Sequence, residues 1–362
     1  MDDFSQLTTP AFLVDRQIVQ HNCDRMRAKA AASGVIFRPH VKTHKVPDIG
    51  RMQHGGEAGP VTASTLAEVE HFADDGFRDI TYAVPVSPEK LDRAAGIATR
   101  IDRLNLLIDS FDALEAIESF GFRFHVFLKV DCGYHRAGVD PDDPASAELA
   151  RRMMNAKHAR FAGLLTHAGH SYHAANVAEI REYAKAETSA VTKFAQKLGG
   201  KIVRSIGSTP TASVVERFTD CDEVRPGNYV FYDAFQSTIG SCKLEDIAVS
   251  VLATVVGSYP ERNTMIIDAG ALALSKDLGP DHVNPQFGYG IVCDTELRPL
   301  NDMKIIALSQ EHGKVATLQP LAVGSQVRVI PNHSCLTAAM FDKYHVLDRG
   351  RVVDEWTPVR GW

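Results

Sequence analysis

Between residues 35 and 227 the chain alternates eight short apolar runs with longer stretches of helical periodicity, and nothing else restricts its folding so strongly. The runs are VIFRPHV (35–41), GPVTAS (59–64), DITYAVP (79–85), RLNLLID (103–109), FHVFLKV (124–130), RFAGLLT (160–166), KIVRSIG (201–207) and CDEVRPG (221–227). Segments such as STLAEVEHFADDG (64–76) and FDALEAIESFG (111–121) lie between them, with apolar residues at helical spacing, polar starts and glycine stops. Short buried strands alternating with helices build a parallel sheet. Eight such units predict an α/β fold of the closed (β/α)8 TIM-like barrel type, which is compact at ~200 residues. An open doubly wound sheet is the alternative. It binds nucleotides through a glycine-rich first turn, and neither GxGxxG nor GxxxxGK[ST] occurs here.

From about residue 241 the texture changes. AVSVLATVVGSY (248–259), NTMIIDAG (263–270), MKIIALSQ (303–310), SQVRVIPNHSC (325–335) and RVVDEWTPV (351–359) are β-branched and separated by Gly, Pro, Asn and Asp turns. They predict a C-terminal antiparallel β domain. TPAFLVD (9–15) also reads as a strand and precedes the first barrel unit by a whole helix (16–33), so it is expected to pair with the C-terminal domain. The expected division is a barrel over 16–240 and a β domain made of 1–15 plus 241–362.

With 362 residues, 44% hydrophobic and 23% charged, the chain can bury a substantial core. Its net charge of -6 argues against a nucleic-acid partner. The start MDDFSQLTTP lacks a secretory signal's basic and apolar regions, and no apolar run approaches the ~18 residues of a membrane helix. Cys23, Cys132, Cys221, Cys242, Cys293 and Cys335 are scattered without CxxC pairs, as reduced thiols of a cytoplasmic protein would be.

A barrel enzyme gathers its chemistry where its strands end. Here the ends read RPHVKTHK (38–45), DCGYHRAG (131–138), THAGHSYH (166–173), GSTP (207–210) and RPGNY (225–229). Gly207, Ser208 and Thr209, with Gly227 and Asn228, form a candidate anion cradle after strands seven and eight. Ordinary helix capping by Ser208 or Thr209 is the competing reading. A phosphate site with a lysine at a strand end suggests a pyridoxal phosphate linkage. Lys42 closes the first strand, whereas Lys45 falls in the following helix; a solvated basic loop is the plainer alternative. In His333-Ser334-Cys335, strand geometry would point imidazole and thiolate to one face, able to hold one borderline cation with positions left open. A core His and Cys is the alternative.

Taken in order, TPAFLVD, RPHVKTHK, LKVDCGYHRAG, THAGHSY, GSTPT, RPGNYVFYD and PNHSC resemble the D-serine dehydratase and D-threonine aldolase family of pyridoxal phosphate enzymes, across nearly the whole chain. That family has the alanine racemase-like barrel (fold type III). The resemblance implies Lys42 as the lysine carrying pyridoxal 5'-phosphate, and Arg136 facing the cofactor's phenolic oxygen. It implies Tyr172, Ser208, Thr209, Gly227 and Asn228 as cofactor and phosphate contacts, with Arg225 at the pyridine nitrogen. His333 and Cys335 match the dehydratases' divalent-metal ligands, with zinc favoured and manganese the alternative. Aldolases of the family carry aspartate where Cys335 stands, which places the chain nearer the dehydratase branch. His173 stands where an aldolase-like base would sit. The expected activity is dehydration and deamination of a D-3-hydroxy amino acid (D-serine, D-threonine or 3-hydroxyaspartate) to a 2-oxo acid and ammonia, by a homodimer. Retro-aldol cleavage to glycine and an aldehyde is the alternative; an amino-acid racemase or a non-catalytic cofactor carrier ranks lower.

Overall fold

In the computed structural model, which describes Phe4 and residues 6–362, TPAFLVD supplies β1 (Ala11–Asp15) and the eight apolar runs supply eight strands in turn. These are β2 (Ile36–Phe37), β3 (Val61–Ala63), β4 (Asp79–Pro85), β5 (Arg103–Ile108), β6 (Phe124–Lys129), β7 (Ala159–Leu165), β8 (Arg204–Ile206) and β9 (Glu223–Val224). They pair in parallel in the order β2-β9-β8-β7-β6-β5-β4-β3, and a parallel bridge between His40 and Thr62 joins the two ends into a barrel. β2 and β9 stop short of their apolar runs because Pro39 and Pro226 lack the N–H a ladder needs.

The helix predicted over 16–33 forms as Arg16–Ser33. Asp15 starts it by accepting from the backbone N–H groups of Gln17 and Ile18 at 2.9 and 3.0 Å.

The remaining strands are β10 (Val249–Tyr259), β11 (Thr264–Ile267), β12 (Ile291–Cys293), β13 (Pro299–Leu308), β14 (Gly313–Ala316), β15 (Gln326–Ile330), β16 (Tyr344–Asp348) and β17 (Arg351–Trp356). Their sheet runs β11-β14-β13-β12-β15-β10-β1-β16-β17, and a further β10–β11 pairing closes six of the strands into a second, antiparallel barrel. β1 joins this sheet as its pattern predicts: it lies antiparallel to β10, with Ala11 opposite Leu252, and parallel to β16, with Leu13 opposite His345. Among the described residues, that parallel pair is the one departure from antiparallel pairing in this sheet. β12, β14 and β16 are short and were not legible as separate strands.

The chain divides into two compact units, one of residues up to Asn22 with Asn228–Pro358, the other of Cys23–Gly227 with Val359–Trp362. The expected division placed residues 16–22 and 228–240 with the barrel. Among the described residues, no helix is long and apolar enough to cross a membrane.

An aromatic cluster centres on Phe12 of β1, which is fully buried. Its ring centroid lies 4.9 Å from Tyr344, 5.5 Å from Phe341 and 6.2 Å from Phe231. Phe12→Ala should destabilise the protein by about 3–5 kcal/mol, read as a lowered urea midpoint; a loss under about 1 kcal/mol would show that β1 is dispensable to this core.

Candidate active site

The basic cluster at the end of β2 separates into residues with different work. Arg38 turns into the barrel and is buried against Glu223 and Asp79. His44 is fully buried, accepts from the Val46 N–H at 3.1 Å, and is pushed by burial to about 3, so it stays neutral. Lys45 has a left-handed φ of 57° and its Nζ sits 3.1 Å from the buried carboxylate of Glu68. Lys45 is therefore a structural cation. Lys42 occupies a short 3-10 turn, Val41–Thr43, and is half-buried. Its backbone N–H is taken by His40 Nδ1 at 3.3 Å, which leaves the His40 hydrogen on Nε2, facing Ser64 Oγ at 3.3 Å.

Two imidazoles flank Lys42 electrostatically. His40 is held well below its usual value by burial and then by the Lys42 and Arg225 charges; His167 is held down by burial and then by Lys42 and Lys129. Both are neutral at physiological pH. His167 Nδ1 lies 2.7 Å from the Gly207 carbonyl, so Nδ1 carries the hydrogen and Nε2 is an acceptor.

Lys129, at the end of β6, was missed by motif reading although a lysine inside FHVFLKV is itself a signal. It is 6% exposed, its amine makes no hydrogen bond or ion pair among the described residues, and it is drawn down to about 7 by burial and then by Arg225. Arg136 lies exposed on the loop after β6, stacked 5.0 Å over the Tyr134 ring, and its charge reaches both Lys129 and His167. That loop is closed by Asp131, which accepts three backbone N–H groups at 3.0 Å, and by Gly138, where a Cβ would meet the Asp131 nitrogen at 2.7 Å.

The loops after β7 and β8 are tied together by Glu187, on the helix Val177–Leu198. Fully buried, it accepts from the Ala168 and Gly207 N–H groups at 2.9 and 3.1 Å and from Thr211 Oγ1 at 2.9 Å, and burial raises its pKa. Ser208 bonds Ser171 Oγ at 2.9 Å and Thr211 Oγ1 at 3.0 Å and caps the helix Thr209–Val214. The capping reading of Ser208 thus holds, and the turn's backbone is what remains there for an anion. Thr209 is buried in the same turn, while Tyr172 is half-buried and His173 exposed on the turn Gly169–His173.

Close backbone approaches shape this cradle. A Cβ on Gly207 would stand 2.6 Å from the Arg225 nitrogen, and one on Gly227 would stand 3.0 Å from His40 Cβ. Arg225 is 4% exposed and drawn to about 10 by burial. Its Nε donates to Ser205 and its Nη2 to the Thr166 carbonyl, while Nη1 makes no hydrogen bond among the described residues. A buried guanidinium with one unused edge, amid neutral imidazoles and lysines, fits an anionic heterocycle such as pyridoxal phosphate.

The other unit carries His333 and Cys335, and here the strand geometry expected from the sequence does not occur. β15 ends at Ile330, Pro331 and Asn332 break the ladder, and His333 caps the helix Ser334–Ala339 whose first turn contains Cys335. The two side chains still meet: a hydrogen bond to Cys335 helps raise His333, whose imidazole is penalised by burial yet held well above its usual value by Asp277 and Cys335. Asp277 Oδ2 lies 3.1 Å from His333 Nδ1, so Nε2 is the nitrogen on the Cys335 side and the one that would ligate a cation; sequence reading did not find this carboxylate. Asn228, expected at the phosphate, sends its side chain elsewhere. Its Nδ2 donates to Asp233 Oδ2 and Ser334 Oγ, each at 2.8 Å, and lies 3.5 Å from Cys335 Sγ. No set of three or more His, Cys, Asp or Glu side chains among the described residues forms a metal cage. One nitrogen and one sulfur donor fit a cation completed by water or substrate.

Comparison with known proteins finds a family model for each part of the chain. An alanine racemase N-terminal domain matches residues 14–234 and a putative serine dehydratase domain matches residues 248–347. The D-serine dehydratase of Dictyostelium discoideum is 38% identical over 397 residues, covering 100% of this chain and 99% of that protein. The D-threo-3-hydroxyaspartate dehydratase of Delftia sp. (strain HT23) is 37% identical with 100% of both chains covered. Its solved structure matches with a TM-score of 0.93 at 36% identity, again over 100% of each chain. A cysteine-to-alanine variant of a D-threo-3-hydroxyaspartate dehydratase, solved in the metal-free form, matches with a TM-score of 0.92. A D-threonine aldolase of Arthrobacter sp is more distant, at 27% identity over 98% of this chain.

Two outcomes follow from this geometry. Lys42→Ala should abolish the visible absorbance of a lysine-linked cofactor, while Lys45→Ala should keep it; the reverse pattern would exchange their roles. Asp277→Asn should weaken cation binding about 10–100-fold in a calorimetric titration, because the imidazole loses its orienting carboxylate.

Proposed function

The chain belongs to the D-serine dehydratase-like family of lyases with an alanine racemase-type N-terminal domain, and from that premise we propose that it is a pyridoxal phosphate- and divalent cation-dependent dehydratase of a D-3-hydroxy amino acid. The observation that carries this reading is the sorting of the two lysines: Lys45 is bound to Glu68, whereas Lys42 stands among neutral imidazoles at the strand ends.

Held by Lys42, pyridoxal phosphate supplies a conjugated ring that takes up the electron pair left at Cα. The Lys42 amine is the base positioned to accept the Cα proton. His40 and His167, kept uncharged, add no positive charge there; His40 turns its Nε2–H to Ser64 Oγ, and His167 keeps an Nε2 lone pair. Arg225 would present Nη1 to a ring nitrogen. His333 and Cys335 would hold the cation, whose Lewis acidity suits a β-hydroxide that is otherwise a poor leaving group. Asp277 keeps His333 Nε2 turned outward, and the donor pair favours zinc, with manganese as the alternative. The balance needs no oxidant: the substrate loses its Cα proton and β-hydroxyl as water, and the enamine takes back one water to give a 2-oxo acid and ammonia. The working assembly is taken to be a homodimer.

D-serine, D-threonine and D-threo-3-hydroxyaspartate should be offered in turn, with and without chelator. A 2-oxo acid and equimolar ammonia are expected from at least one, with chelator stopping release but leaving the lysine-linked absorbance. Glycine and an aldehyde would overturn the dehydratase reading in favour of an aldolase, and chelator-insensitive turnover would remove the cation's role.

A further inference from the structure

Arg225 is the inner end of a continuous hydrogen-bonded chain that crosses the barrel interior. Its Nε donates to Ser205 Oγ at 2.7 Å. Ser205 donates its hydroxyl hydrogen to Glu223 Oε1 at 2.6 Å. Glu223 Oε2 accepts from Arg38 Nε, also at 2.6 Å, and Arg38 grips both oxygens of Asp79 at 2.7 and 2.9 Å. Ser205, Glu223 and Arg38 are respectively 0%, 2% and 3% exposed. The Asp79 carboxylate, 30% exposed, meets solvent where β4 begins, the end of the barrel away from Lys42.

This chain has only one direction. A carboxylate accepts, a guanidinium donates, and Ser205 has a single hydrogen. Ser205 must therefore give that hydrogen to Glu223 and receive the Arg225 Nε–H on its lone pairs. The Thr166 carbonyl holds Nη2. With Nε and Nη2 both assigned, Arg225 cannot turn to offer another edge, and Nη1 is the nitrogen left for a ligand.

We propose that Glu223, acting through Ser205, is a positioning residue that fixes the Arg225 guanidinium with Nη1 toward the ring nitrogen of the bound cofactor. The inference rests on the pyridoxal phosphate reading above and extends it to residues in the barrel interior. Arg225 keeps its own proton, so it offers the ring nitrogen a hydrogen bond and nothing more. The alternating charges of Asp79, Arg38, Glu223 and Arg225 hold that cation in a desolvated place where an isolated guanidinium would be costly.

The test is a double-mutant cycle on the holoenzyme with Ser205→Ala and Arg225→Lys. Ser205→Ala cuts the link while leaving the Arg38–Glu223–Asp79 group intact. It should lower kcat about tenfold or more, with KM changed less than about twofold. The melting temperature of the cofactor-free protein should stay within about 3 °C of wild type. In the Arg225→Lys background the Ser205→Ala effect should vanish, because the residue it acts through is gone. Additive losses, or a Ser205→Ala enzyme with wild-type kcat, would overturn the inference while leaving the cofactor reading in place. An Arg225→Lys enzyme with wild-type kcat and unchanged cofactor absorbance would refute Arg225's role and the inference with it. If Ser205→Ala does not fold, Glu223→Asp keeps the charge but withdraws the carboxylate from the Ser205 hydroxyl, and the same cycle applies.

Discussion

Parallel strands all end at one rim, and that constraint underlies every other property of the larger unit. Residues separated by more than a hundred positions are carried to one place because each follows its strand by a few residues. Lys42 follows β2, Lys129 closes β6, His167 follows β7, Gly207 follows β8 and Arg225 follows β9. The convergence needs no special contact between them. It is the consequence of eight β/α units closing on themselves, with the His40–Thr62 bridge completing the circle.

A rim so rich in cations faces an electrostatic problem, and the structure meets it in three ways. Some charges are paired: Lys45 with Glu68, Arg38 with Glu223 and Asp79. Others are suppressed, as His40, His167 and His44 are by burial and Lys129 is by burial and its neighbours. Arg225 stays charged but is tethered by two of its three nitrogens. What is left includes the Nη1 edge of Arg225, which makes no hydrogen bond among the described residues. That is the complement of an anionic, aromatic ligand, and it agrees with a family whose barrels carry pyridoxal phosphate.

The smaller unit follows a different logic, in which one side chain ties together a segment. Asn228 donates to Asp233 and Ser334 and lies 3.5 Å from the sulfur of Cys335, while Asp277 orients His333. The donor pair is thus held by hydrogen bonds from outside itself, the usual requirement for a cation site with few protein ligands. The strand register once expected for His333 and Cys335 is replaced by a helix start. A proline two residues before His333 forbids continuing the ladder, and His333, in extended backbone just ahead of the helix, still reaches Cys335.

How much of this was legible depended on the range of the interactions involved. The eight runs, the helix at Arg16–Ser33, the pairing of β1 with the C-terminal sheet and the reactive strand ends were readable, because periodicity and turn chemistry are local properties of the chain. Lys42 was readable as a residue following the first strand, but its place in the 3-10 turn Val41–Thr43 was not. Tertiary structure alone decided that Glu68 claims Lys45, that Glu187 ties the loops after β7 and β8, and that Asp277 stands behind His333. It alone joined Asp79, Arg38, Glu223, Ser205 and Arg225 into one chain. These partners lie from 18 to 185 residues apart, and a buried charge chooses its partner by distance in space, which no local pattern encodes.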